Sequence, residues 1–192
     1  MKRTWWNYTR ICMYSENQSN YLQTLRKLPK LSVHLVCLGN ICRSPIANAV
    51  LVNKFALLEK PKVVVDSSGT GPWHVGEAAS AYSIKVWQEA GYKYQHIAKQ
   101  FKLNFFAQHD LILAMDLKNR SALLKLAKGD AEKEKIFMLS SFDPALQGID
   151  PDGDDAHLLS IPDPYGKELS AYKEVLEMIE RSSDGLIRWL NS

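Results

Sequence analysis

The feature that most constrains the fold is a largely apolar run that leads straight into a loop containing a cysteine and an arginine. The run covers residues 33–36, and residues 37–45 read CLGNICRSP. Cys37 and Arg43 therefore bracket five residues. This pattern predicts a strand that delivers Cys37 to a tight loop, followed by a helix with Ser44 as its N-cap and Pro45 at its first helical position.

The predicted loop has the properties of an anion site. Its backbone N–H groups and the N-terminus of the following helix form a concave, positively polarised surface. Arg43 adds a planar fork that can hold two oxygens of a phosphoryl group. Gly39 and Asn40 are residue types that tolerate a positive φ, which a loop folding around an anion needs. Such positive surroundings favour the thiolate form of Cys37, which predicts a phosphoryl-transfer nucleophile, and the competing interpretation is a buried structural cysteine before an ordinary turn.

Strand and helix patterns alternate along the rest of the chain. The predicted strands cover residues 33–37, 62–66, 111–115 and 135–139, and the predicted helices cover residues 45–58, 79–90, 117–128 and 168–190. The strand at 111–115 is almost purely apolar, which is typical of a parallel sheet covered on both faces. The alternation predicts an α/β fold over residues 32–192, with helices on both faces of a parallel sheet.

Composition and charge exclude several classes of protein. The formal net charge is +3, but residues 1–32 carry six basic residues against one acidic residue, a net of +5 that leaves −2 for the remainder. The basic balance therefore gives no reason to expect a nucleic-acid partner. No run approaches the roughly 18 apolar residues of a membrane span, and three cysteines, two of them in one loop, do not form a disulfide framework. We expect a cytoplasmic protein, as a monomer or a weak dimer.

Residues 1–31 form a basic N-terminal extension with two interpretations. Apolar residues recur within it at helical spacing, at Tyr21, Leu22, Leu25 and Leu28, with basic residues between them. One interpretation is a short amphipathic helix that meets an acidic lipid surface or a partner. The other is a disordered overhang.

Neither a metal nor a cofactor is predicted. The acidic residues of segment 150–155 suggest a calcium loop, but the glycine is misplaced and Ile161 stands where the twelfth-position glutamate would be. The five histidines are scattered without the spacing of a ligand set.

Residues 36–47 resemble the signature of the low-molecular-weight protein tyrosine phosphatases. The likeness continues through residues 67–76, 96–100, 110–116 and 161–165, so it spans about residues 33–190. The resemblance implies a four-stranded, doubly wound sheet with a phosphate-binding loop after the first strand. It also implies hydrolysis of phosphotyrosine, or of other aryl phosphates, through a phosphocysteine on Cys37 with release of inorganic phosphate.

A thiolate nucleophile needs a proton donor for the departing oxygen, and Asp163 is the candidate. It lies between two prolines that stiffen its loop, and it matches the general-acid motif of the family. Trp73, His74 and Tyr165 are the predicted walls of the substrate pocket, because aromatic faces grip a planar ring. A core position is the alternative for Trp73.

The resemblance assigns further roles by position. The phosphate-binding loop comprises Leu38, Gly39, Asn40, Ile41, Cys42 and Ser44, with Ser44 donating to the leaving thiolate. Asn40 and His96 brace this loop, although His96 is equally interpretable as a surface histidine, and Asp116 orients Arg43. Cys42 forms a redox pair with Cys37, as the family uses the two cysteines.

The chain also departs from the family pattern. Asn48 stands where glutamate is common, Lys99 where arginine is common, and Gly166 where a second tyrosine is frequent.

Three other functions compete with tyrosine phosphatase activity. An arsenate reductase of the same fold needs distal cysteines, and none follows Cys42. A phosphoarginine phosphatase usually has threonine after the loop asparagine, where this chain has Ile41. A non-catalytic phosphate-binding module would be expected to lack the nucleophile or the acid, and both are present.

Overall fold

A computed structural model describes residues 14–59 and 61–192 of the chain. The strands are β1 (Lys30–Cys37), β2 (Lys62–Gly69), β3 (Leu111–Ala114) and β4 (Ile136–Met138). The helices are α1 (Glu16–Leu25), α2 (Arg43–Phe55), α3 (Ala81–Glu89), α4 (Phe105–Gln108), α5 (Leu117–Leu126), α6 (Asp130–Lys133) and α7 (Leu169–Leu190). Each of the eight strands and helices predicted between residues 33 and 190 is present, so the alternating pattern predicted the fold correctly.

The four strands form one parallel sheet in the order β2-β1-β3-β4. The step from β1 to β2 runs in the opposite direction to the step from β3 to β4. Because both crossovers are right-handed by the usual rule, α2 and α5 cover opposite faces, which confirms the doubly wound prediction. The strand order reverses beside β1, and the loop at the carboxyl end of β1 therefore lies where such sheets bind ligands.

Close approach of the backbone fixes the end of β2 against this loop. Cys37 pairs with Gly69 in the parallel register of β1 and β2. A Cβ atom on Gly69 would lie 2.6 Å from the carbonyl oxygen of Leu38. Only glycine therefore allows β2 to continue beside the loop, three residues past the predicted end of the strand.

Helix α2 begins earlier than the sequence predicts. Its first helical residue is Arg43, and Cys42 is at the N-cap position without a side-chain capping bond. The cap predicted at Ser44 is wrong, because the Ser44 hydroxyl donates to the sulfur of Cys37 instead, over 3.0 Å. Pro45 then lies in the first turn, where its missing N–H would have had no helical partner.

The described part of the basic extension is helical and belongs to the domain. Leu22 and Leu25 on α1 are buried in the core. The Tyr21 hydroxyl donates to the carbonyl of Asp110, and Arg26 donates to the Ser192 hydroxyl while lying 5.9 Å from the ring centre of Trp189. The apolar face of this helix therefore packs on the protein's own core, which leaves it unavailable to a lipid surface. Residues 1–13, the rest of the extension, lie outside the described residues.

The acidic segment that suggests a calcium loop is held by an arginine. Arg120 donates two hydrogen bonds to the carboxylate of Asp152, over 2.6 and 3.0 Å, and these lower the pKa of that carboxyl. Within the described ranges, no helix combines the length and the apolar character needed to cross a membrane.

Candidate active site

A cavity of about 300 Å³ opens at the carboxyl end of β1. Its lining consists of loop residues and of three side chains predicted as pocket walls, together with the predicted acid: Cys37, Leu38, Gly39, Ile41, Cys42, Trp73, His74, Asp163 and Tyr165. Cys37 lies at the buried base of the cavity. Trp73 and Tyr165 are 66% and 62% exposed, so they stand at the rim and not in the core.

Two hydrogen-bond donors converge on the sulfur of Cys37. The backbone N–H of Asn40 lies 3.2 Å from Sγ, and the Ser44 hydroxyl lies 3.0 Å from it. The N-terminus of α2, which is the positive end of the helix dipole, faces the same sulfur. These groups are placed to stabilise negative charge on the sulfur.

Asn40 holds the loop in shape through four further hydrogen bonds. It is the one described residue other than glycine with a positive φ, 57°. Its side-chain nitrogen donates to the hydroxyls of Ser44 (2.9 Å) and Ser67 (3.1 Å), and its side-chain oxygen accepts from the backbone N–H of Lys99 (2.9 Å). His96 donates through Nε2 to the Asn40 carbonyl over 2.7 Å. His96 is thus in contact with the loop, and burial lowers the pKa of its ring.

Gly39 does not use the positive φ that its residue type permits. A Cβ atom at this position would lie 3.0 Å from Cδ2 of His74. The expectation of a positive φ is therefore correct for Asn40 and wrong for Gly39, where glycine makes room for the His74 ring. That ring is held in turn by Glu77, whose carboxylate lies 2.9 Å from Nδ1.

Arg43 is buried and has carboxylates on two sides. One terminal nitrogen donates to Asp116 (2.5 Å) and to the carbonyl of Ile161 (3.1 Å), and the other donates to Asp163 (2.7 Å). Burial acts to lower the pKa of Arg43, but the negative charges of Cys37, Asp163 and Asp116 outweigh it and raise the pKa. The third nitrogen, Nε, is buried and has no hydrogen-bond partner among the described residues.

Asp163 joins the arginine to the cavity. One carboxylate oxygen accepts from Arg43, and the other accepts from the backbone N–H of Tyr165 over 3.2 Å. Its side chain is 38% exposed and lines the opening beside Tyr165. A carboxyl group in this position can reach a substrate atom above the sulfur.

Cys42 is the second thiol of the loop and is buried at 4% exposure. Its sulfur lies 3.6 Å from the Ser80 hydroxyl and 3.6 Å from the Tyr172 hydroxyl. Burial raises the pKa of Cys42 and raises that of Tyr172 to about 12. Cys42 is therefore held as a neutral thiol in the same cavity lining as Cys37.

The structure brings the predicted site residues together in two layers. The nine residues given in the first paragraph of this subsection line the cavity. Five others lie behind it as support: Asn40, Arg43, Ser44, His96 and Asp116. Sequence reasoning missed several groups of this second layer: the Ile161 carbonyl, Ser67, Glu77 and the hydroxyl of Tyr172. A backbone carbonyl has no signal in a sequence, and Tyr172 is separated from Cys42 by 130 positions along the chain.

Comparison with known proteins places this arrangement in a family. Residues 32–192 match the model of the family described as low molecular weight phosphotyrosine protein phosphatase. A low molecular weight protein-tyrosine-phosphatase of Streptomyces coelicolor is 39% identical over 81% of this chain and 90% of its own length. A protein-tyrosine phosphatase A of Mycobacterium tuberculosis is 35% identical over 84% and 92%.

Solved structures agree with the sequence comparisons. A protein tyrosine phosphatase from Entamoeba histolytica superposes with a TM-score of 0.72 at 31% identity, covering 84% of this chain and 97% of that one. An arginine phosphatase from Geobacillus stearothermophilus superposes with a TM-score of 0.68 at 28% identity, covering 84% and 93%. The chain therefore belongs to the low-molecular-weight phosphotyrosine protein phosphatase family of hydrolases.

Proposed function

We propose that the protein hydrolyses phosphotyrosine in proteins, or other aryl phosphates, through a phosphocysteine intermediate on Cys37. The observation that carries the proposal is the buried, unpartnered Nε of Arg43 in a loop that aims two donors at the Cys37 sulfur. Buried donors in proteins are almost always paired, so this nitrogen calls for an acceptor. Together with a terminal nitrogen it forms one edge of the guanidinium, which fits two phosphoryl oxygens.

The proposed reaction has two displacements at phosphorus. In the first, the Cys37 thiolate forms a bond to phosphorus while the bond to the tyrosine oxygen breaks, and that oxygen takes a proton from Asp163. In the second, a water attacks phosphorus as Asp163 accepts its proton, and the sulfur leaves as the thiolate with release of inorganic phosphate. Arg43 and the loop N–H groups stabilise the charge on the three equatorial oxygens.

The ion pair between Arg43 and Asp163 has to open when a phosphorylated substrate binds. Their 2.7 Å ion pair occupies a terminal nitrogen that a phosphoryl oxygen would need. We propose that the bound phosphate replaces the carboxylate at this nitrogen. Asp163 would then turn, within its proline-flanked loop, to the leaving oxygen.

The proposed substrate class follows from the walls of the cavity. Ile41 is 7% exposed and presents an apolar surface, while the Trp73 and Tyr165 rings stand at the rim. An aromatic ring carrying the phosphate would contact all three side chains. Both loop cysteines are free thiols, which fits a reducing compartment such as the cytoplasm.

The nucleophile is tested with Cys37→Ser. We expect hydrolysis of phosphotyrosine peptides to fall below detection, while phosphate binding measured by calorimetry persists because Arg43 and the loop N–H groups remain. Rapid acid quenching of the unsubstituted enzyme should trap a phosphorylated peptide containing Cys37, identified by mass spectrometry. Activity in Cys37→Ser, or loss of wild-type activity on adding a chelator, would contradict the mechanism.

The proton donor is tested with Asp163→Ala. We expect kcat on phosphotyrosine to fall by about 10²–10⁴-fold, which is the usual contribution of a positioned acid. The loss should shrink for aryl phosphates with very acidic leaving groups, because these depart without a proton. Asp154→Ala, in the exposed acidic segment, is the matched control and should keep the wild-type kcat. A near wild-type kcat in Asp163→Ala would rule out this assignment.

Substrate preference is tested with Ile41→Thr, because an arginine phosphatase is among the similar structures. A hydroxyl at this position can accept from a guanidinium, which a branched hydrocarbon cannot. We expect the ratio of kcat/KM for phosphoarginine over phosphotyrosine to rise by about 10–200-fold, the usual range for a single small group in a pocket. Ile41→Val keeps the apolar contact and should keep the preference. An equal kcat/KM for phosphoserine and phosphotyrosine peptides would show that the walls do not select a ring.

We also propose that Cys42 protects Cys37 from irreversible oxidation. Peroxide converts the Cys37 thiolate to a sulfenic acid, and the Cys42 thiol then attacks that sulfur, forming a disulfide with loss of water. After peroxide and then a dithiol, the wild type should regain most of its untreated activity. Cys42→Ser, normalised to its own untreated activity, should regain almost none. Equal recovery in both proteins would leave Cys42 with a packing role alone.

A further inference from the structure

Three potential metal ligands meet on the sheet away from the phosphate cavity. His34 lies on β1 directly opposite Asp66 on β2, and His109 lies two residues before β3. Their ligand atoms all lie within 4.8 Å of one another, and this is the one such group found among residues 14–59 and 61–192. None of the three lines the cavity above Cys37.

The spacing of the two imidazole nitrogens fits a shared cation. Nδ1 of His34 and Nε2 of His109 are 3.4 Å apart, which is long for a hydrogen bond between them. Two nitrogens bound tetrahedrally at about 2.0–2.1 Å from zinc are separated by roughly 3.3–3.4 Å. The nearer carboxylate oxygen of Asp66 lies 3.9 Å from Nδ1 of His34, so a small movement of this side chain would complete a third ligand.

Each histidine has a second ring nitrogen that faces away from the other histidine, and each of these nitrogens has a hydrogen-bonding partner. Nδ1 of His109 donates to the carbonyl of Phe105 over 3.1 Å, which leaves the lone pair of the neutral ring on Nε2, facing His34. Nε2 of His34 lies 2.7 Å from the Ser68 hydroxyl. Partners of this kind fix the orientation and tautomer of ligating histidines.

Aromatic rings shield the His34–Asp66–His109 cluster from water on one side, and the other side is open to a cation. The rings of Phe101 and Phe105 lie 5.6 and 4.8 Å from the ring centre of His34, which is fully buried. On the open side, the Lys99 ammonium pairs with Asp66, at 2.5 Å from one carboxylate oxygen and 2.7 Å from the other. The side chains of Lys99 and Asp66 are 41% and 31% exposed, so Lys99 can swing into solvent as a cation enters.

We propose that His34, Asp66 and His109 bind one divalent transition-metal ion of the zinc class, in place of the Lys99 ammonium. Two imidazole nitrogens and one carboxylate oxygen suit zinc, cobalt or nickel, and a water would take the fourth position. Magnesium and calcium require oxygen ligands and do not fit this set. The spacing of the histidines in the sequence predicted no metal site, because these ligands meet only through strand register.

The binding test uses zinc itself and removes the competing thiols. In the full chain with Cys12, Cys37 and Cys42 replaced by serine, calorimetric titration with Zn²⁺ should give one saturable site, and Mg²⁺ should give none. His34→Gln and His109→Gln in this background should each weaken the affinity at least about 100-fold, since loss of an outer-shell partner alone costs about 10–100-fold. His157→Gln, an exposed histidine outside the cluster, is the matched control and should bind as the parent does.

The substitution Lys99→Met should raise the zinc affinity, whereas the two histidine substitutions should lower it. This substitution removes the ammonium that competes for Asp66, so it should tighten zinc binding, whereas damage to the local structure would weaken it. An unchanged or weaker affinity in Lys99→Met would overturn the placement of the cation at Asp66.

A spectroscopic test of zinc binding does not depend on whether a substituted protein folds. In the unsubstituted protein, nitrogen NMR of the histidine rings should show zinc-dependent shifts of Nδ1 of His34 and Nε2 of His109, with the opposite nitrogens remaining protonated. The absence of saturable zinc binding, or shifts confined to other histidines, would overturn the proposal.

Discussion

Burial of the Arg43 guanidinium is the constraint on which the rest of the site depends. A charge that is 2% exposed is strongly destabilising unless opposite charges and hydrogen-bond acceptors compensate it. The partners come from separate parts of the chain: Asp116 at the N-cap of α5, and the Ile161 carbonyl and Asp163 from the loop before α7. The start of α2, the edge of the sheet and that loop must therefore meet at one point, which also brings Asp163 into the lining of the cavity above Cys37.

Local features of the sequence predicted the frame of the molecule and the residues proposed to carry the chemistry. The alternation of strands and helices follows from residue periodicity, and the Cys37–Arg43 loop follows from residue types that each meet one geometric demand. Local features assigned the Ser44 hydroxyl to the helix end, whereas the family resemblance implied a bond to the Cys37 sulfur, which is the bond that forms. Gly39 was assigned by backbone freedom, whereas the neighbouring His74 ring is what requires glycine.

Long-range contacts explain what the sequence could not indicate. The cluster of His34, Asp66 and His109 exists only because β1 and β2 pair in one register and β3 begins beside them. Lys99 joins this cluster to the phosphate loop, since its backbone N–H donates to Asn40 while its ammonium contacts Asp66. The contact with Asp66 is made by a single ammonium group. An arginine would hold the carboxylate with two nitrogens of its planar guanidinium, so another cation replaces lysine at Asp66 more easily than it would replace arginine.

The position of α1 has a consequence for the order in which the protein assembles during synthesis. The ribosome makes α1 before every other described element, yet Arg26 beyond its end contacts Trp189 and Ser192, which follow at the far end of α7 or just past it. These contacts cannot form until almost the whole domain has left the exit tunnel. Helix α1 therefore completes its contacts in two stages, because Tyr21 meets Asp110 in the middle of the chain and Arg26 meets residues that are made last.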